Sequence, residues 1–178
     1  MNLKIEHNKI LTMLTNSFSN ALTAIEKRTD NIYSVALYCS SGFSSFGLAA
    51  STIDYLDIVK CKFDNKDWSI LELSASEWEF INSDYGYFIE LNEYVDDLYE
   101  NFYDEGLSDQ EISQFFVTIS KELLASLTFN NKYSDNLFLS LQFADPSENG
   151  LNEMEDVSDF LKSDKWNKKF KSYLNTLR

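Results

Sequence analysis

Ile32-Tyr33-Ser34-Val35-Ala36-Leu37-Tyr38-Cys39 is the stretch on which the fold turns. It is short, rich in β-favouring side chains and apolar on both alternating sets, the pattern of a central strand. Ser40-Ser41-Gly42 follows as a turn signal, and Phe46-Gly47-Leu48-Ala49-Ala50 supplies a hairpin partner. Two strands joined by so short a connection pair antiparallel. An α+β domain is therefore expected, with a mainly antiparallel sheet of about four to six strands packed with helices.

Helical spacing surrounds this hairpin. Leu3, Ile10, Leu14, Phe18, Ala21, Leu22 and Ile25 recur at three- and four-residue steps, which predicts a long N-terminal helix over 3–28. Ser51-Thr52-Ile53-Asp54 is a capping start for a helix through Val59. Trp68 to Leu73 alternates weakly and reads as a third strand. Ser74-Ala75-Ser76-Glu77 has capping-box spacing ahead of Trp78, which reads as a core anchor. A helix is expected from about Tyr85 to Asp104. Another starts at the capping box Ser108-Asp109-Gln110-Glu111 and buries Ile112, Phe115, Phe116, Ile119, Leu123 and Leu127. Leu137 to Phe143 is the clearest strand. The chain ends in a helix with Trp166, Phe170, Tyr173, Leu174 and Leu177 on one side. With one proline, five glycines and no low-complexity linker, residues 1–178 read as a single domain.

Composition narrows the function classes. Hydrophobic residues make up 44% and aromatics 15%, enough for a core and too much for a disordered chain. The net charge of −14 argues against nucleic acid and against an anionic membrane surface, both of which are bound through Lys and Arg. No stretch approaches the ~20 apolar residues of a membrane span, and the N-terminus lacks the apolar region of a signal peptide. Two cysteines, Cys39 and Cys61, are no disulfide scaffold. A cytoplasmic location is expected.

The charge is concentrated. Residues 67–120 hold 14 acids and no Lys, Arg or His, so the whole excess lies in that window. Inside it, Phe88, Leu91, Val95, Leu98 and Phe102 form an apolar helical stripe. Glu90, Glu93, Asp97, Glu100 and Asp104 repeat the same spacing two residues later, on the opposite face. Tyr87, Tyr94, Tyr99 and Tyr103 fall on the flanks. A solvated face usually intersperses Lys, and like charges three or four apart cost a helix roughly 0.2–0.5 kcal/mol per pair. Such a stripe suits a basic protein partner: charge steers the encounter and Tyr adds rigid contact area. The expected partner-binding residues are Glu90, Glu93, Tyr94, Asp97, Glu100 and Asp104. The C-terminal segment is basic, with Lys162, Lys165, Lys168, Lys169, Lys171 and Arg178, and is a candidate to pair with the acidic helix within the fold or in a dimer.

Catalytic and metal signatures are sparse. His7, the one histidine, stands beside Glu6 and reads as a helix-face residue. Glycine-rich phosphate loops, Cys-x-x-Cys and His-Glu-x-x-His are absent from the sequence. Asp145 to Asp156 places oxygen ligands at positions 1, 3, 5, 9 and 12 of a calcium-type loop, with Gly150 at position 6. Against calcium, the last position is Asp156 rather than Glu, Asn152 stands where an apolar residue is usual, and a strand precedes. A polar turn capping a following helix is the competing reading. No catalytic residue, metal or cofactor is expected.

The order of segments resembles the bacterial domain-of-unknown-function family 4303. The likeness rests on Ile32-Tyr33 with Leu37-Tyr38, on Ala49, Ala50 and Thr52, on Leu73-Ser74-Ala75-Ser76-Glu77-Trp78, and on Phe138 to Asp145. In the third of these motifs Leu73 and Ala75 stand where the family has Trp and Pro. The family has no established enzymatic activity to carry over, and such small acidic proteins are similar in kind to immunity proteins encoded beside bacterial toxins. The expected function is thus a non-enzymatic acidic binding protein, an immunity-type inhibitor of a cognate toxin. The alternatives are a small-ligand module or enzyme with a pocket near Trp78, Tyr33 and Tyr38, and a structural subunit.

Overall fold

The computed structural model describes residues 1–62, 68–129, 137–161 and 164–178. Helix α1 spans Leu3–Glu26, strand β1 Ile32–Cys39, β2 Phe46–Thr52, α2 Ile53–Lys62 and α3 Ser69–Leu73. The two-residue strand β3, Phe80–Ile81, comes next. After it come α4 Ile89–Asp104, α5 Asp109–Phe129, β4 Phe138–Phe143, α6 Glu148–Leu161 and α7 Asp164–Thr176. The protein is α+β, with a long N-terminal helix and one four-stranded mixed sheet in the order β3-β2-β1-β4.

The hairpin forms as the sequence indicates: β1 and β2 pair antiparallel, with Leu37 opposite Leu48 and Cys39 opposite Phe46. The other edge of β1 corrects the expectation of a mainly antiparallel sheet. There β4 pairs parallel, Val35 opposite Leu139 and Leu37 opposite Leu141. The chain reaches β4 from β3 only after the two long helices α4 and α5, a connection long enough to admit parallel pairing with β1, and turn chemistry near β1 carries no trace of it. The short β3 adds to β2, Ala50 opposite Phe80.

The third strand expected over Trp68–Leu73 is helical instead. Glu72 N–H donates to Trp68 O at 3.0 Å and Ser74 N–H to Ile70 O at 2.9 Å, one helical turn each. Six residues are too few to separate a period of 2 from 3.6. The segment meets the sheet through a side chain: Gln142 of β4 accepts from Ala75 N–H at 2.8 Å and donates to Leu73 O at 2.9 Å.

Both sheet faces are covered. On one, Phe46 and Phe143 join Phe43 and Phe116 in an aromatic cluster with α5, with Phe43 and Phe143 5.0 Å apart and Phe43 and Phe116 5.6 Å apart. On the other, Phe138 packs between Trp166 at 5.2 Å, Phe170 at 5.1 Å and Trp78 at 6.0 Å. Trp78 is buried there, as an anchor should be. Helix α6 packs along β4 and contacts α5 and α7. Phe43, wholly buried, carries a left-handed φ of 61°, a strain that its buried ring contacts offset.

Candidate functional site

The apolar stripe of α4 folds inward as its spacing requires: Phe88, Leu91, Val95, Leu98 and Phe102 are buried. Three local devices then fix how the helix is turned. Buried Asn92 accepts from Phe46 N–H at 2.8 Å and donates to Phe46 O at 3.0 Å, so one amide takes both backbone groups at the start of β2. Tyr99 donates its hydroxyl to Gly42 O in the hairpin connection. At the far end Gly106 takes φ 77°, Leu107 N–H reaches Phe102 O at 3.0 Å and Gly106 N–H reaches Tyr103 O at 2.9 Å, a Schellman stop.

With the helix so held, Glu90, Glu93, Asp97, Glu100 and Asp104 all lie exposed on its outer face. Among the described residues none of the five takes part in an ion pair. Asp96 beside them is exposed as well. Glu100 and Asp104 sit at the negative end of the helix dipole, which adds to the repulsion along the face. Tyr94 is turned the other way. It is half-buried against α1, donates its hydroxyl to Glu6 and lies under Lys9 Nζ, 3.7 Å from the ring centroid. Burial and the Glu6 carboxylate push its phenol up to about 12. Tyr103 stands on the opposite flank, 55% exposed, with its hydroxyl 3.1 Å from Asp109 Oδ1.

Three cations of the C-terminal segment are engaged away from this face. Lys169 Nζ lies 2.9 Å from Glu72, Lys171 Nζ 2.7 Å from Asp159, and Arg178 2.7 Å from Glu155. The pairing expected with the acidic helix is made with α3 and α6 instead, and Lys162 lies outside the described residues.

A second feature was only partly legible. Asp145–Asp156 does not form a calcium loop, because Glu148 onward is helix α6 and ligands spread along a helix cannot encircle an ion. The polar-turn reading fits: Ser147 Oγ accepts from Gly150 N–H at 3.2 Å, capping α6. One face of α6 and one face of α5 flank a half-open cavity of about 680 Å³ beyond the C-terminal ends of β1 and β4. Gly150 permits the close approach: a Cβ there would meet the Phe143 ring at 3.3 Å. Half-buried Glu153 lines the cavity, takes a hydrogen bond from the Ser113 hydroxyl, and is held above the usual carboxylate range by burial. Periodicity places these residues on facing helices, but nothing in their spacing announces that α5 and α6 are neighbours.

His7 Nε2 lies 3.1 Å from Glu122 Oε2 with its ring edge-on to Phe115, a helix-face residue as read. Cys39 is buried and Cys61 exposed, both free. Tyr33 lines another cavity, of about 520 Å³, with Trp166; Trp78 and Tyr38 are not part of its lining. Among the described residues no group of three His, Cys, Asp or Glu is placed to hold a metal ion, and no helix is long and apolar enough to cross a membrane.

Fold and surface together define an α+β protein with one acidic helix face that makes no ion pair among the described residues. Compared with known proteins, the chain matches no family model, no curated protein and no solved structure.

Proposed function

We propose that this chain is a non-enzymatic acidic binding protein, an immunity-type inhibitor that docks a basic partner, a cognate toxin domain, on the outer face of α4 in the cytoplasm. One observation carries the reading. Lys169, Lys171 and Arg178 are paired with acids of α3 and α6, while Glu90, Glu93, Asp97, Glu100 and Asp104 have no ion pair among the described residues. A row of like charges on a rigid helix costs stability, and a basic partner would turn that cost into attraction. Asn92 and Tyr99 lock the helix rotation, so the face is preorganised. Exposed Tyr103 supplies an aromatic contact at its edge, and Tyr94 braces the other flank against α1. Self-association of the acidic helix with the basic tail is the weaker reading, because three of the tail's cations are already held within the chain.

The test is a tagged pull-down from lysate of the source organism at low and moderate salt, run beside the triple variant Glu93→Lys/Asp97→Lys/Glu100→Lys. The expected result is one stoichiometric basic protein retained by the unmodified chain and lost from the variant. Retention of the same protein by both would place the interface elsewhere.

A further inference from the structure

We propose that the cavity between α5 and α6 binds a small free organic cation, a guanidinium or primary-ammonium head on a short stem. This inference is independent of the docking reading and uses a different surface.

Position comes first. Strands β1 and β4 run parallel and end together at Cys39 and Phe143. Past these ends the two segments stay joined, Ala144 N–H donating to Cys39 O at 2.9 Å and the Ser41 hydroxyl to Asp145 O, and Ser41, Gly42 and Phe143 there contribute to the cavity lining. The cavity of about 680 Å³ lies in this place, within the range of roughly 300–1,000 Å³ typical of small-molecule sites.

The lining then selects the charge. It contains Asp109, Glu153 and Asp156 and no Lys, Arg or His among the described residues. Lys121 Nζ, 2.7 Å away, already balances Asp156. Glu153 has no cation in ion-pair range among the described residues and takes only the Ser113 hydroxyl. A half-buried carboxylate without countercharge is costly, and a bound cation would relieve it. Gln110 and Gln114 face the same cavity from α5 and offer amide carbonyls to the remaining N–H donors of such a head. Val117 and Phe143 give an apolar surface for the stem.

The experiment is an NMR titration of the full chain with butylguanidinium, with its neutral isostere N-butylurea, and with a capped Gly-Arg-Gly peptide. The proposal expects saturable shifts at Ser113, Gln114 and Glu153 with butylguanidinium and none with N-butylurea. Glu153→Gln should weaken binding at least tenfold while resonances on α4 stay in place. Equal response to N-butylurea, an unsaturable response, or unchanged affinity in the Glu153→Gln variant would overturn it. Tighter binding of the peptide than of butylguanidinium would overturn the free-molecule source and assign the cavity to a protein-borne side chain. Loss of the basic partner in the α4 triple variant leaves this titration unchanged, so the two readings fail separately.

Discussion

Lys171 Nζ holds Asp159 Oδ1 at 2.7 Å and also lies 3.5 Å from Glu155 Oε1, so a cation of α7 is committed to the helix before it. The hydrogen bond between Lys171 and Asp159 holds Lys171 above and Asp159 below its usual range, while Glu155 is held below its own chiefly by the hydrogen bond from Arg178. The charge segregation of the sequence therefore persists in the fold: Lys171 and Arg178 are held by acids of α6, and the outer face of α4 stays acidic.

Reversing one charge on that face should separate stability from binding. Asp97→Lys places a cation four residues after Glu93 and three before Glu100, replacing two like-charge neighbours by two attractive ones. Each repulsion removed and each attraction gained is worth roughly 0.2–0.5 kcal/mol, so the variant should be as stable as the parent or more stable by up to about 2 kcal/mol. Its affinity for the basic partner should fall, with a shallower salt dependence. Urea unfolding and binding at two ionic strengths check both halves, and a less stable variant would contradict the reading of the face as unpaired.

Burial in the aromatic cluster sets the second expectation. Phe43 is wholly buried among Phe46, Phe116 and Phe143, and its φ of 61° is strained for a non-glycine residue. Phe43→Ala removes the ring contacts and keeps the strain. A loss of about 3–5 kcal/mol is expected, read as a lower urea midpoint with an unchanged slope.

Gln142 makes the polar counterpart. Its amide satisfies Ala75 N–H and Leu73 O, and it also lies 3.1 Å from Ser140 Oγ. Gln142→Leu fits the space and leaves two buried backbone groups without partners, at about 1–3 kcal/mol each. A destabilisation of about 2 kcal/mol or more is expected. A neutral result would mean that α3 moves freely relative to the sheet.

These residues also show where the sequence was readable and where it was not. The hairpin, α1, α4 and α5 were legible because each is fixed by local periodicity or a local cap. The Ser108 box is an example: Glu111 Oε2 accepts from Ser108 N–H at 2.9 Å, as its spacing requires. The parallel β1–β4 pair, the helical 69–73 segment and the α5–α6 cavity depend on which distant elements meet. Gln142 illustrates the difference, since a glutamine inside an apolar strand signals a buried polar contact without saying that Leu73 and Ala75 receive it. The acidic stripe was legible in full, whereas the inward turn of Tyr94 depends on Glu6 and Lys9 of a helix about 90 residues away.

The cavity and the cap give opposite pH responses. Glu111 is held below the usual carboxylate range by the Ser108 backbone and hydroxyl, so its contribution is present above the unfolded-state value and is lost as pH falls through the folded one. Glu153 is held above that range by burial, with the Ser113 hydroxyl opposing. In the folded state it binds a proton more readily than in the unfolded chain. Its ionisation therefore lowers stability as pH rises between the unfolded and folded values, and the penalty stands at neutral pH. Glu153→Gln keeps an acceptor for Ser113 and removes the charge. The variant should equal or exceed the parent in stability at neutral pH and lose that advantage in acid, where the parent's carboxyl is protonated. Urea unfolding of both proteins across the carboxylate titration range checks the sign. A variant less stable at neutral pH would mean that the Glu153 charge is already compensated in the free protein.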